Sequence, residues 1–169
     1  IAMAVASQIP QFREMFDGAT EPLGLMLAAA IMFVVGGVDD LWERKGGVSP
    51  PAKVAGMVLS GSVLSLLGVT MLYFRVPFAR YDYVVLSSDL APLVTVLTVV
   101  VMANAINLID GLDGLAAGIV AIAGGAFFLY ADRLFKAGLL EGSNIAPLVA
   151  IIAVGVCVGF LPHNLNPAK

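Results

Sequence analysis

Apolar residues fall into five long runs along the chain, Leu23–Val38, Val54–Phe74, Leu90–Ile109, Leu115–Ala131 and Ile145–Leu161, and polar residues gather in the gaps between them. A helix rises 1.5 Å per residue, so about 20 apolar residues cross the roughly 30 Å of bilayer hydrocarbon. Each run is long enough, or nearly so. Backbone in lipid must hydrogen-bond within its own segment, and no run alternates with period two, so helices are the spanning structure the pattern predicts. Pro22, Pro92 and Pro147 lie just before or in the first turn of their runs, where a missing N–H costs little, so they start helices rather than break them. Ile1–Ile9 reads as the tail of another helix. The chain opens without Met and stops directly after a polar loop, as an internal piece of a longer protein would. The expected fold is therefore an all-α integral membrane protein. A bundle of about five transmembrane helices plus a partial one would form a single domain over residues 1–169, itself part of a larger polytopic fold.

Composition sharpens this picture. Hydrophobic residues make up 60% of the chain and charged residues 12%, where a soluble domain carries roughly 25% charged. The net charge is -3 and the nine Lys and Arg are scattered, which excludes phosphate-backbone binding and hence a nucleic-acid partner. The single Cys157 sits inside an apolar run, so it builds no disulfide framework and reads as a packing residue. Trp42, Tyr73, Tyr81 and Tyr83 lie at run ends, where an interfacial aromatic belt belongs. Small-residue pairs such as Gly114 and Gly118 permit close helix packing, a weak signal.

If the five runs cross in alternation, three polar motifs arrive on one face: G-V-D-D-L-W-E (37–43), N-L-I-D-G-L-D-G (107–114) and P-H-N-L-N-P-A-K (162–169). The opposite face receives residues 10–21, 75–89 and 132–144, which read as ordinary connectors. Short-loop charge does not orient the bundle. The motif face holds Arg44, Lys45, Lys53 and Lys169, and the other holds Arg13, Arg75, Arg80, Arg133 and Lys136.

On a helix, Asn104, Asn107 and Asp110 sit three apart and share a face of roughly 120°. Asp113 drifts off that face, but Gly111 and Gly114 allow a helix end or sharp turn that returns it. Amides inside an apolar run are costly, so Asn104 and Asn107 should face the bundle interior or a wet cleft. Helix-to-helix hydrogen bonding is the competing account of that pair. Asp39 and Asp40 end the first run, and a solvated loop start competes there. Two adjacent carboxylates, joined by two more from another loop, favour a hard cation such as Mg²⁺ or Mn²⁺, and that in turn points to phosphate chemistry. His163, the only histidine, more often belongs to interfacial polar packing than to a site.

G-V-D-D (37–40), N-A-I-N-L-I-D-G-L-D-G-L-A-A-G (104–118) and G-F-L-P-H-N-L-N-P-A-K (159–169), in that order, resemble the polyprenyl-phosphate N-acetylhexosamine-1-phosphate transferases. The likeness lies nearer the bacterial branch acting on UDP-N-acetylglucosamine than phospho-N-acetylmuramoyl-pentapeptide transferase. It implies a multi-pass enzyme of the bacterial plasma membrane with its motif loops on the cytoplasmic face. The reaction it implies is Mg²⁺-dependent transfer of N-acetylglucosamine-1-phosphate from a UDP-sugar to a polyprenyl phosphate, releasing UMP for cell-envelope glycan synthesis. The implied catalytic residues are Asp39, Asp40 and Asp110, with Asp39 and Asp40 near the lipid phosphate. Asn107 and Asp110 would line the metal and pyrophosphate. Lys53 would contact the lipid phosphate, and Asn104, Asp113 and Asn164 would serve the substrate side. The expected partners are a UDP-sugar, a polyprenyl phosphate, the bilayer and a second copy of the chain.

Two departures carry expectations of their own. The Asp40-to-Lys53 loop is longer than the family's. The phenylalanine-methionine-glycine-aspartate motif and the histidine-rich loop that follow P-A-K in the family lie outside this chain, so the chain alone is expected to be inactive. Two rival readings are weaker. D-G-L-A-A (113–117) opens like a CDP-alcohol phosphotransferase motif but has Gly118 where that motif needs Arg. A transporter or scaffold bundle should carry ionisable groups at mid-membrane, and the middles of these runs have none.

Overall fold

A computed structural model describes residues 1–42, 47–74 and 83–165 of the chain. Among these residues six α-helices follow in order: α1 (Ala2–Ala6), α2 (Glu21–Trp42), α3 (Pro50–Leu66), α4 (Leu90–Ile109), α5 (Leu115–Lys136) and α6 (Ala146–Asn164). A 3₁₀ turn (Pro10–Met15) lies between α1 and α2. Two short strands, β1 (Tyr73–Phe74) and β2 (Val84–Val85), pair antiparallel with Tyr73 opposite Val85 and Phe74 opposite Val84. Glu43, Arg44, Lys45, Arg75, Arg80, Tyr81 and Lys169, named above for their charge or aromatic character, lie outside the described residues.

Among the described residues four helices, α2, α4, α5 and α6, are long and apolar enough to cross a membrane. The run predicted as a fifth crossing, Val54–Phe74, divides instead. Its helix α3 has 17 residues and ends at Leu66. Gly68 then takes φ +97, a left-handed conformation that costs a residue without a Cβ little. Gly68 N–H donates to the Ser65 carbonyl and Val69 N–H to the Leu64 carbonyl, at 3.3 and 3.0 Å. This pair of bonds is the glycine-closed helix terminus, and it satisfies carbonyls that the broken helix would otherwise leave open. Beyond it, Tyr73 and Phe74 enter the hairpin, so extended backbone stands where a helix was expected. Aromatic and β-branched residues suit such a strand as well as they suit a buried helix, so hydropathy alone did not separate the two. Tyr73 and Tyr83 meet there edge to face, ring centroids 6.4 Å apart.

The chain separates into two compact units, residues 20–104 and residues 1–19 with 105–169, the boundary falling within α4. In the first unit α2 and α3 form a close hairpin. A Cβ on Gly24 would stand 2.9 Å from Leu67 Cβ, and one on Gly56 would stand 2.5 Å from Val35 Cγ2. The buried Ser60 hydroxyl donates across this contact to the Ala28 carbonyl at 3.2 Å. Helix α3 meets α4 at Gly61, where an added Cβ would lie 3.0 Å from Val96 Cα. In the second unit α5 packs on α6, with Gly124 against Val154. Small residues thus set the helix separations, as expected where lipid provides no hydrophobic drive between helices. The sequence pointed to Gly114 and Gly118 for this; Gly114 does lie close under Leu161 and Leu165 at the end of α6, whereas a Cβ on Gly118 would meet nothing within 4 Å.

Among the described residues few are buried and most of those are small: Ala6, Pro22, Gly24, Ala28, Met57, Ser60, Gly61, Ala91, Thr95, Ala116, Ala131 and Leu148. Large side chains such as Phe33, Leu66 and Leu108 are instead at least 80% exposed. That inversion of the soluble pattern fits a surface meant for hydrocarbon.

Candidate functional site

In the first unit, the polar end of the α2–α3 hairpin is organised by Asp39. Its Oδ2 lies 2.6 Å from Lys53 Nζ, and its Oδ1 accepts from Val48 N–H at 2.9 Å. Gly47 passes so close that a Cβ there would stand 2.9 Å from the same Oδ1. Lys53 falls in the first turn of α3, which Pro50 and Pro51 begin. A cation at a helix N-terminus opposes the helix dipole, so the carboxylate beside it offsets an unfavourable placement. Both side chains remain partly open to solvent, at 38% for Lys53 and 28% for Asp39. Asp40, the next residue, is exposed.

Asn104 lies on α4 in the same unit. Its Nδ2 donates to the Val100 carbonyl at 2.7 Å and reaches Met57 Sδ on α3 at 3.2 Å. The amide therefore joins two helices, the packing account weighed above for the asparagine pair, and only its carbonyl oxygen is left to serve a substrate.

The second unit contains the long motif from Ala105 onward. Asp110 N–H donates to the Ile106 carbonyl at 3.1 Å, completing the last turn of α4. Residues 110–114 form the turn, and Gly114, at φ +76, opens α5. Of the two glycines expected to turn the chain, Gly114 alone takes the left-handed conformation. Its N–H donates to Asn164 Oδ1 on the last turn of α6 at 2.8 Å. Leu165 Cδ2 and Leu161 Cδ2 press on the same glycine, 3.0 and 3.6 Å from where a Cβ would be. Asn107, Asp110 and Asp113 are all exposed. Among the described residues neither carboxylate has a hydrogen-bonding or ionic partner, and no three His, Cys, Asp or Glu side chains gather into a metal site.

One boundary moves. Pro162, His163 and Asn164 were placed in a loop, but α6 runs on to Asn164 with Pro162 inside it. Proline so near a C-terminus removes one bond to the preceding turn without ending the helix, and Leu165 N–H still reaches the Leu161 carbonyl at 2.9 Å. His163 is exposed on that last turn.

The predicted site residues thus fall into two groups. Asp39, Asp40, Lys53 and Asn104 belong to the first unit, and Asn107, Asp110, Asp113 and Asn164 to the second. Within them the structure joins Asp39 to Lys53, and Asn164 to the turn that carries Asp110 and Asp113. Sequence reasoning missed two backbone members, the Val48 and Gly114 amides, and one side chain, the Met57 thioether. Gly47 and Gly114 are legible as turns, but the side chains they serve lie elsewhere in the sequence.

Residues 22–169 match the model of glycosyl transferase family 4. The chain is 33% identical to the decaprenyl-phosphate N-acetylglucosaminephosphotransferase of Mycobacterium tuberculosis (strain CDC 1551 / Oshkosh) over 99% of its own length and 41% of that protein. The enzyme of that name from Mycolicibacterium smegmatis is 32% identical over the same shares. A phospho-N-acetylmuramoyl-pentapeptide-transferase from Pelodictyon phaeoclathratiforme is 33% identical over 86% of the chain and 44% of its own length. The chain therefore spans about two fifths of the length of the curated relatives it matches.

Proposed function

The chain belongs to glycosyl transferase family 4, and on that premise we propose that it forms the part of a multi-pass membrane enzyme that transfers N-acetylglucosamine-1-phosphate from UDP-N-acetylglucosamine to a polyprenyl phosphate. The observation that carries the reading is the pair of exposed carboxylates, Asp110 and Asp113, on a turn braced by Asn164, in a chain matched across 99% of its length by a relative named for that transfer. Match over the whole chain favours the N-acetylglucosamine donor over the muramoyl-pentapeptide donor.

In this reading a lipid phosphate oxygen attacks the sugar-bearing phosphorus in line, its bond to the UMP oxygen breaks, and UMP leaves. Lys53, held by Asp39, binds and orients the lipid phosphate. Asn107 and Asp110 would hold Mg²⁺ or Mn²⁺. A hard ion of this kind needs only one or two protein carboxylates besides waters and substrate phosphates, so the open donor set on the turn fits it. When bound, it supplies charge neutralisation at the pyrophosphate. Asp113 contacts the uridine end, and Asp40 lies toward the lipid phosphate. Positioning and charge neutralisation provide most of the rate acceleration in such phosphoryl transfers. The enzyme works in the bacterial plasma membrane as a homodimer, with the motif loops on the cytoplasmic face.

The test is the full-length protein in detergent with radiolabelled UDP-N-acetylglucosamine, decaprenyl phosphate and Mg²⁺. Lipid-linked sugar and UMP should form in equal amounts, and Asp110→Asn should slow their formation about 100- to 1,000-fold. Product only from a UDP-muramoyl-pentapeptide donor, or undiminished turnover in Asp110→Asn, would overturn the assignment.

A further inference from the structure

Two carboxylates on a five-residue turn are useful only if the turn has one conformation. The Asp110 end is secured by α4 itself, through the bond from Asp110 N–H to the Ile106 carbonyl. The other end begins α5, and α5 brings little of its own to that task. It has no side-chain hydrogen bond from its N-cap residue and no acidic residue in its first turn. Most helix starts are fastened by such a group, usually Ser, Thr, Asp or Asn at the cap. Here the fastening arrives from another helix, as Asn164 Oδ1 accepts from Gly114 N–H at 2.8 Å.

That bond fixes more than a glycine. The peptide plane between Asp113 and Gly114 carries the donated N–H, so holding it sets the backbone torsion of Asp113 and the direction in which its side chain leaves the turn. It also fixes the Asn164 amide, because a backbone N–H can only donate and the oxygen must face it. The bond is reinforced by shape: Leu165 and Leu161 close over Gly114 so tightly that a Cβ would stand 3.0 Å from the nearer side chain.

We infer that Asn164 is a positioning residue, acting through its carbonyl oxygen to brace the Asp110–Asp113 turn from the end of α6, rather than a group that binds the nucleotide directly. The inference rests on the reading above that this turn is the pyrophosphate and nucleotide site. It makes α6 part of the site's scaffold. It also divides the substitutions at position 164 by chemistry, since any replacement that keeps an acceptor at the amide oxygen should preserve the brace.

Asn164→Ala and Asn164→Asp in the full-length protein separate the two roles. Aspartate keeps an oxygen where Gly114 N–H points and loses the NH₂ that a nucleotide would need. Two readouts apply to each variant: hydrogen exchange of the 110–118 segment, and kcat and KM with UDP-N-acetylglucosamine. In Asn164→Ala, exchange should accelerate and kcat should fall about 10- to 100-fold, the usual cost of losing a residue that orients a site ligand. The KM for the lipid phosphate should stay unchanged. In Asn164→Asp, both slow exchange and turnover should return toward the parent values. Turnover that stays low in Asn164→Asp while exchange is restored would assign Asn164 to direct binding and overturn the inference. So would exchange that Asn164→Ala leaves unchanged, or that Asn164→Asp fails to restore. Asp110→Asn, run alongside, isolates the other failure. If it turns over normally the functional reading falls, while the exchange data still decide whether Asn164 braces the turn.

Discussion

The two helix hairpins reach their polar ends in opposite ways. At the end of α2–α3 a carboxylate is used up internally: Asp39 holds Lys53 with one oxygen and the Val48 amide with the other. At the end of α5–α6 the fastening is an uncharged amide on a backbone N–H, and both nearby carboxylates, Asp110 and Asp113, stay exposed. The first end spends charge on structure and presents a half-exposed lysine held in place. The second spends only a neutral hydrogen bond and keeps its negative charge available. A cation that orients an anionic lipid head needs to be steadied, whereas oxygens that serve a hard metal need to be left open. The difference matches the roles proposed for the two ends.

The contrast can be broken at the first end by Lys53→Met, which removes the cation and leaves Asp39 without its ionic partner. We expect the KM for the lipid phosphate to rise roughly 10- to 100-fold, as for the loss of one charged hydrogen bond, with the KM for the UDP-sugar little changed. Equal increases for both substrates would show that the lysine is not specific to the lipid. The second end is sharpened by a pair of glycine variants. Gly114→Ala imposes a Cβ on φ +76 and on Leu165, and thermal unfolding should show a loss of about 1–3 kcal/mol. Gly111→Ala, with open space around it and no left-handed backbone, should be within experimental error of the parent. Comparable losses in the two variants would mean that the turn is strained throughout rather than at its brace. The smallest effect belongs to the helix contact below the first end. Ser60→Ala deletes the bond to the Ala28 carbonyl, and its cost should be about 0.6 kcal/mol, the average for such bonds between membrane helices.

Much of this was legible beforehand where the physics is local. The end of α4 at Ile109, the helix-starting prolines Pro22, Pro92 and Pro147, and the turn after Ile109 all follow from hydropathy and from proline and glycine geometry. Legibility failed where two structures share one composition. Val69–Phe74 is as apolar as the helix before it, and only the glycine at 68 marks the change. At Asn104 the sequence left two accounts open, because an amide in a greasy helix looks the same whether it bonds Met57 or a ligand.

The sequence by itself determined that this is a helical membrane protein and which residues are the candidates for its chemistry, because crossing a bilayer demands apolar length and phosphate chemistry demands carboxylates, and both are properties of single segments. Only the tertiary structure decided what each polar residue is tied to. Asp39 meets Lys53 across 14 residues of chain and Gly114 meets Asn164 across 50, and hydrogen bonds of that reach exist only once the helices have packed and brought their ends together.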